Sequence, residues 1–441
     1  MYNLYGIPEA STELGWAVGL PLLFMVALFA MAVPVWVALG FAALGLLWAT
    51  EVLPLTLFGE ALFSGIDAFA LIAIPLFILT GDVLVRSGLS AKLLDVAEAT
   101  MGSLRTGLGT STVLGCGFFS CISGSDAAGA AAVGRITYKR LVESGYPAPY
   151  ACALVASGAC TGILIPPSIA YIIIGLILGI SASTLFLAAA VPGVMIMVSI
   201  MLTNIVVNRR RGYENSHERF SFRRWLSAVW DGKFALLIPF IILGGIYSGV
   251  FTPTEAAAIA VVTTIAIGLL QGTLTLADFP KMLESSAKVN GVIVPIIAFA
   301  LPLAQALAAL EVPQTFVQSI TALTDEPVLI VLMMLVIFIV AGCVMETTPN
   351  IVILSPIMLP LAQEIGMNDI QFCIFMVTSL GVGFITPPLG LNLFVLSGLT
   401  GQSVLGIARN AVPYVLSMLV VVLLIAFIPE VSLLAVPEQL R

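Results

Sequence analysis

The sequence predicts an all-α polytopic membrane protein made of two inverted-topology repeats, with two re-entrant hairpins and two broken helices. Three observations predict it. Of 441 residues, 60% are hydrophobic and 9% charged, with a mean hydropathy of +1.13; an ordinary soluble domain is about 25% charged. Four proline landmarks recur in order at a nearly constant offset. Sixteen of the 17 basic residues fall on one side of the topology those landmarks define. The composition alone excludes a soluble enzyme, a nucleic-acid binder and a disordered chain, none of which has a place for so much apolar surface.

A spanning helix needs about 20 apolar residues. Spanning or near-spanning segments read at about 17–33, 34–50, 68–85, 150–178, 183–207, 234–250, 253–271, 290–307, 370–399 and 411–428. Positions 1–16 read as an N-terminal extension; they carry no Lys or Arg and so lack the basic start of a cleaved signal peptide. A polar stretch, 208–233, divides the chain near its middle and is expected to be a cytoplasmic linker, with a C-terminal tail at 429–441. Across the linker Pro21 matches Pro239, Pro34 matches Pro253, Pro75 matches Pro295 and Pro166-Pro167 match Pro387-Pro388, at offsets of 218 to 221. The collinear set reads as a duplication, repeat 1 over 17–207 and repeat 2 over 234–428.

Basic residues mark the cytoplasmic side. If the stretches at about 107–137 and 327–361 are hairpins that enter and leave on one face, the chain starts outside. Then Arg86, Lys92, Arg105, Arg135, Lys139, Arg140, Lys281, Lys288, Arg409 and the seven bases from Arg209 to Lys233 all lie inside, with only Arg441 outside. The two halves then have opposite orientation, as in many secondary transporters.

The hairpin centres carry the chemistry. The first, Ser120 to Asp126, is small and polar within an apolar run; the second runs from Gly342 to Asn350 and includes Glu346, Thr347 and Thr348. Backbone that leaves the helix at membrane depth needs partners in protein, water or ions. Free carbonyls and hydroxyls suit a small cation, and the amides of the following helix suit an anion. About 41 to 43 positions later each half breaks again, at Gly162 to Ser168 and at Gly383 to Asn392. Each double proline removes two backbone donors and leaves carbonyls unpaired. Asp126 and Glu346 at the tips are open to three roles: cation ligand, helix cap or protonated acid. Lone hydroxyls such as Ser111 and Ser120 read as bonded back within their helices. Glu51, Glu60, Asp325 and Glu364 read as solvated. The segments 88–108 and 310–327 are amphipathic and read as interfacial helices.

Other chemistry has little support. The six cysteines form no CxxC pair and read as small buried hydrophobes. The single histidine, His217, lies in the polar linker. The only Gly-Lys pair, Gly232-Lys233, is followed by Phe234, so there is no phosphate loop for ATP.

Taken together, GLPLLF…VPVWVALG, SGSDAAGAAAVG, GILIPPSIAYIIIG, FTPTEAAAIA, METTPNIVILSPIMLP and GVGFITPPLGLNLFV resemble the large membrane subunit of tripartite ATP-independent periplasmic (TRAP) transporters over essentially the whole chain. The resemblance implies a sodium-coupled importer of small organic acids in the bacterial inner membrane. It implies an elevator fold, with a scaffold and a mobile transport unit. It also implies two partners, a small four-helix membrane subunit and a periplasmic substrate-binding protein. Carried over, one sodium site uses Ser123, Gly124, Ser125, Gly162 and Ile165, and the other Gly342, Glu346, Thr347, Gly383 and Thr386. Substrate is implied between the tips, near Ser125, Asp126, Ser168, Thr348, Pro388 and Asn392. With Arg135 expected ~15 Å below the first tip along its helix, no basic side chain is expected at the substrate. Helix N-termini, hydroxyls and bound cations would then hold the anion. Sialic acids, C4-dicarboxylates, other sugar acids and ectoine-like zwitterions all remain open as substrates. The alternative is a stand-alone sodium- or proton-coupled elevator carrier for anions. A channel fits poorly with internal inversion, and an intramembrane enzyme lacks a Ser-His pair or two acids on one hairpin.

Overall fold

The computed structural model describes residues 12–102, 106–214 and 221–441, with side chains from residue 15 onward in the first stretch. Arg105, His217 and most of the N-terminal extension lie outside the described residues. All described regular structure is helical. The first half comprises α1 (Thr12–Ala30), α2 (Val35–Thr50), α3 (Leu55–Ile66), α4 (Ala73–Arg86), α5 (Leu89–Met101), α6 (Gly107–Ser123), α7 (Asp126–Glu143), α8 (Ala148–Ala159), α9 (Thr161–Leu164), α10 (Ile169–Leu178) and α11 (Ala182–Arg211). A short α12 (Phe222–Asp231) leads into the second half. There follow α13 (Lys233–Tyr247), α14 (Pro253–Leu270), α15 (Phe279–Ala309), α16 (Val312–Thr321), α17 (Pro327–Val344), α18 (Thr347–Glu364), α19 (Asp369–Gly383), α20 (Leu391–Thr400), α21 (Val404–Phe427) and α22 (Pro429–Leu433).

The helix order of the first half recurs in the second. Helix α1 corresponds to α13, α2 to α14, α6 to α17, α7 to α18, α8 to α19, α10 to α20 and α11 to α21, and the helix starts keep nearly the offset of the proline landmarks. One place differs. The first half breaks between α3 and α4, around Asp67 and Ala68, where the second half has the continuous 31-residue α15.

Helices α1 to α4 pack among themselves and with α13 to α15, while α6 to α11 pack with α17 to α22. The amphipathic α5 and α16 connect these groups in sequence. On α5, Leu93, Leu94 and Ala97 are buried and Lys92 and Asp95 exposed, the division their spacing predicts. The broken helices form the centre: every residue from Ile370 to Gly383 and from Tyr150 to Ala159 is buried. Large outward-facing side chains such as Phe41, Trp48 and Phe240 suit a lipid surround.

Several expectations need correction. Among the described residues six helices are long and apolar enough to cross a membrane, or eight if each of two bent pairs is one span. Hydropathy suggests ten segments, but α2 has only 16 residues; 370–399 divides into helices of 15 and 10 at the break expected there. The 12-residue α3 escapes the sequence reading, because a run that short between Pro54 and Asp67 gives no spanning signal. The stretch 208–233 is not simply a linker. Helix α11 continues to Arg211, and α12 forms because Ser221 caps it, accepting from the Arg224 amide at 3.4 Å. The 1–16 extension already contains the start of α1. The 429–441 tail is docked: α22 packs against α11, α19 and α21, and Ser432 and Val436 are buried.

Candidate functional site

Helices α6 and α7 form a hairpin whose turn is Gly124, in the left-handed region at φ 61°. That conformation costs glycine little. Its N–H donates to the Ser120 carbonyl at 3.2 Å, and Ser125 caps α7 by accepting from the Ala128 amide at 3.4 Å. Helices α17 and α18 form the second hairpin. Glu346 occupies the N-cap position of α18 but makes no side-chain cap bond. Asn350 ties this tip instead, its Nδ2 donating to the carbonyls of Ala341 at 3.1 Å and Met345 at 3.0 Å. The sequence alone puts Asn350 at the edge of the tip without a role.

Each tip meets the break of its own half. The Ile169 amide donates to the Gly124 carbonyl at 3.4 Å, and the Gly390 amide to the Cys343 carbonyl at 3.0 Å. Both breaks contain a cis peptide bond, Pro166-Pro167 and Pro387-Pro388. Glycine makes the approach possible: a Cβ on Gly162 would lie 2.6 Å from the Asp126 Cα, and one on Gly383 would lie 2.7 Å from the Gly342 Cα. Thus Ser125 and Asp126 come together with Gly162, Gly124 with Pro167 and Ser168, and Gly342 with Gly383, while Ser123 packs on Gly81 of α4. Ile165 follows Gly162 in extended conformation. The Thr386 hydroxyl donates to the Val382 carbonyl at 2.8 Å and keeps its lone pairs. Ser111 bonds back to Leu108, and Ser120 to Cys116 and also to the Thr161 hydroxyl at 2.9 Å.

A cavity of about 380 Å³ opens between the two helix groups. Hairpin 1 contributes Ser123, Ser125 and Asp126 to its wall, and hairpin 2 contributes Glu346, Thr347 and Thr348. Asp82 of α4 and Ser285 of α15 face the same space. The sequence assigns Asp126 and Glu346 to opposite hairpins; packing puts both residues in the wall of one cavity. Asp126 is buried, 3% exposed, at the first turn of α7. Glu346 is exposed, and also borders a smaller cavity lined by Gly342 and Leu389.

Three residues expected at the substrate do not line this cavity. Ser168 is fully buried as the N-cap of α10, accepting from the Ala170 amide at 3.3 Å. Asn392 is fully buried, with Nδ2 donating to the Ala156 carbonyl at 3.3 Å. Neither these two nor Pro388 lines the cavity; they build the breaks behind the tips. Conversely, Arg135 does line the cavity. It stands nine positions along α7 from Asp126, at the far end of the cavity from the first tip. The cavity runs down α7 over Ala127, Ala128, Ala131 and Ala132, whose small side chains leave room as far as Arg135. The alanine run beside Arg135 was the available signal. Also missed was Glu214, buried in the polar stretch, where it accepts from the Leu108 amide at 2.9 Å and the Tyr146 hydroxyl at 2.8 Å.

A family model described as "Tripartite ATP-independent periplasmic transporter, DctM component" matches residues 22–431. The chain is 35% identical over 94% of its length to the isethionate TRAP transporter permease protein DctMQ of Oleidesulfovibrio alaskensis, of which it spans 66%. It is 38% identical over 86% of its length to the C4-dicarboxylate TRAP transporter large permease protein DctM of Pseudomonas aeruginosa, spanning 88% of that protein. It is 29% identical over 92% of its length to the sialic acid TRAP transporter large permease protein SiaM of Vibrio cholerae, spanning 95%. Among solved structures, the YdaH transporter of Alcanivorax borkumensis, described as having an unusual topology, superposes over 96% of this chain and 100% of its own, with a TM-score of 0.61 at 13% identity. That likeness concerns the fold alone.

Proposed function

Because the chain belongs to the tripartite ATP-independent periplasmic transporter family, as a DctM-type large permease, we propose that it imports a small organic acid coupled to sodium. It is a multi-pass transport protein of the bacterial inner membrane and not an enzyme. The proposed assembly adds a small membrane subunit and a periplasmic substrate-binding protein. In this reading the substrate occupies the cavity between the hairpin tips, and sodium binds where each tip meets its break. One site draws on Ser123, Gly124, Ser125, Gly162 and Ile165, and the other on Gly342, Glu346, Thr347, Gly383 and Thr386.

The observation that carries the reading is the pair of tip-to-break closures, Ile169 to Gly124 at the main cavity and Gly390 to Cys343, whose Cys343 lines the smaller cavity that shares Glu346 with it. Each gathers carbonyl and hydroxyl oxygens of the kind a hard cation takes. Binding both sodium ions orders the two tips, and the ordered tips complete the substrate wall. This couples the two ligands through a shared structure. The cavity lies between the α1–α4 and α13–α15 group and the hairpin-bearing group, which supports an elevator movement of one group past the other. The two halves are proposed to cross the membrane in opposite orientations.

The test is uptake by vesicles reconstituted with the partner chains. An inward sodium gradient without ATP should drive accumulation of an organic acid. Uptake that ignores sodium and follows a proton gradient would overturn the coupling and point to Asp126 or Glu346 as proton carriers.

A further inference from the structure

Helix α12 presents its apolar side outward, and we propose that it docks on the bilayer surface, with its aromatic side chains among the acyl chains and its flanking bases on anionic phospholipid headgroups. The proposal goes beyond the transport reading and does not use its substrate or sodium sites. At about 100° per residue, Phe222, Leu226, Val229 and Trp230 share one side of α12, and Arg224, Ser227 and Asp231 the other. A helix bathed in water turns its polar side out. Here the polar side faces the protein: Arg224, Ser227 and Asp231 line a charged cavity of about 310 Å³ with Lys92, Asp95 and Glu98 of α5. Glu98 lies 3.9 Å from Arg224. Trp225, at the boundary, donates its indole N–H to the Thr100 hydroxyl at 3.1 Å. The apolar side is left open, with Phe222 64%, Leu226 52% and Trp230 67% exposed.

What covers that side follows from the direction of the chain. Helix α13 starts at Lys233, directly after α12, and the two are bent by 71°. Where α13 enters the bilayer, α12 therefore runs nearly along the surface. Charge selects the headgroup. Arg223 is exposed at the edge of the apolar side, and the Lys233 ammonium lies 3.7 Å from the centre of the Trp230 ring. The one acid of α12, Asp231, lines the cavity with α5 instead. Bases beside Phe, Leu and Trp make an interfacial helix attracted to anionic lipid. The docking also has a lever. Gly232 seats α12 on α5, since a Cβ there would lie 2.9 Å from the Val96 side chain, and Glu98 pairs with Arg140 of α7. A lipid-held α12 thus fixes α5, the connector to the first hairpin, at the membrane surface.

The experiment uses the full chain with its partner chains. In nanodiscs, a nitroxide on Leu226→Cys, in a background without the six native cysteines, should be relaxed more by oxygen than by a water-soluble nickel chelate. In detergent, phosphatidylglycerol should raise the thermal unfolding midpoint more than phosphatidylcholine does. The double variant Arg223→Gln/Lys233→Gln should keep the lipid-free midpoint and need roughly ten- to thirtyfold more phosphatidylglycerol for the same rise. Stronger relaxation by nickel would make α12 a solvated helix, and protection from both reagents would mean that a protein covers it; either result overturns the proposal. So does an equal rise with both lipids, or the same rise with glycerol 3-phosphate in place of lipid. An unchanged phosphatidylglycerol requirement in the double variant removes the headgroup assignment, and the proposal falls with it.

Discussion

The Cys160 thiol donates to the Gly381 carbonyl at 3.3 Å, and these two residues stand 221 apart, the offset that separates Pro166 from Pro387. Equivalent positions of the two halves thus touch each other at the centre of the molecule. Asn392 adds a second tie across the same junction, through its bonds to Ala156 and Cys160. The two broken helices therefore support each other, and the hairpin tips rest on that joint support.

The tip hydroxyls are expected to set sodium affinity. Losing a ligand to a charged group costs about 1.5–3 kcal/mol, or one to two decades in affinity. Thr347→Ala should raise the sodium concentration for half-maximal uptake by that factor. Ser125→Ala should do the same and also lower thermal stability by about 1 kcal/mol, because Ser125 caps α7. Ser111→Ala, whose hydroxyl is bonded within its own helix, should change neither. Equal sodium dependence in all three variants would leave the tips as structural turns only. Ser355 would be a poor control, since its buried hydroxyl has no hydrogen-bond partner among the described residues.

Adding one methyl group should separate tip from break. In Gly162→Ala the new Cβ would sit 2.6 Å from backbone atoms of Ser125 and Asp126. Overpacking of this kind costs about 1–3 kcal/mol, and the tip must move to relieve it. Sodium-driven uptake should fall at least tenfold. Gly383→Ala should behave alike against Gly342. Gly398→Ala is the contrast: it lies within α20, nothing approaches within 4 Å, and alanine should stabilise the helix by up to about 1 kcal/mol. Normal uptake in Gly162→Ala would show that the close approach has no functional weight.

Glu214 should be a stability determinant despite its place in the polar stretch. It satisfies the Leu108 amide in the first turn of α6 and the Tyr146 hydroxyl, and a carboxylate there also suits the helix dipole. Glu214→Ala leaves buried donors unpaired, at about 1–3 kcal/mol each. Thermal unfolding in detergent should register a clear loss, with Tyr146→Phe losing less. An unchanged midpoint for Glu214→Ala would mean water replaces the carboxylate at no cost.

Sidedness can be read from two engineered cysteines in a background without the six native ones. Asp325→Cys, before α17, should react with an impermeant reagent from outside intact cells. Ser227→Cys, on α12 among the basic residues, should react only after permeabilisation. The reverse pattern would overturn the opposed orientation of the halves.

What the sequence determined by itself were the places where backbone must leave the helix. Gly124, Gly390 and the double prolines announce themselves because few residue types tolerate such geometry, and hydropathy around them reports the solvent in which they sit. The second occurrence of the pattern, beyond the polar stretch, was equally legible, since a duplicated chain keeps its landmarks in order. What only the tertiary structure decided was which side chains share a space. Asp126 and Glu346 belong to different halves of the chain, and no local rule brings them to one cavity. Ser168 and Asn392 carry suitable polar atoms, yet packing turns them into the joint behind the tips. Arg135 reaches the cavity because four alanines on α7 leave it open and α4 and α15 close its far side. Backbone chemistry is local and can be read along the chain, whereas a binding cavity is the space left over when helices distant in sequence pack together.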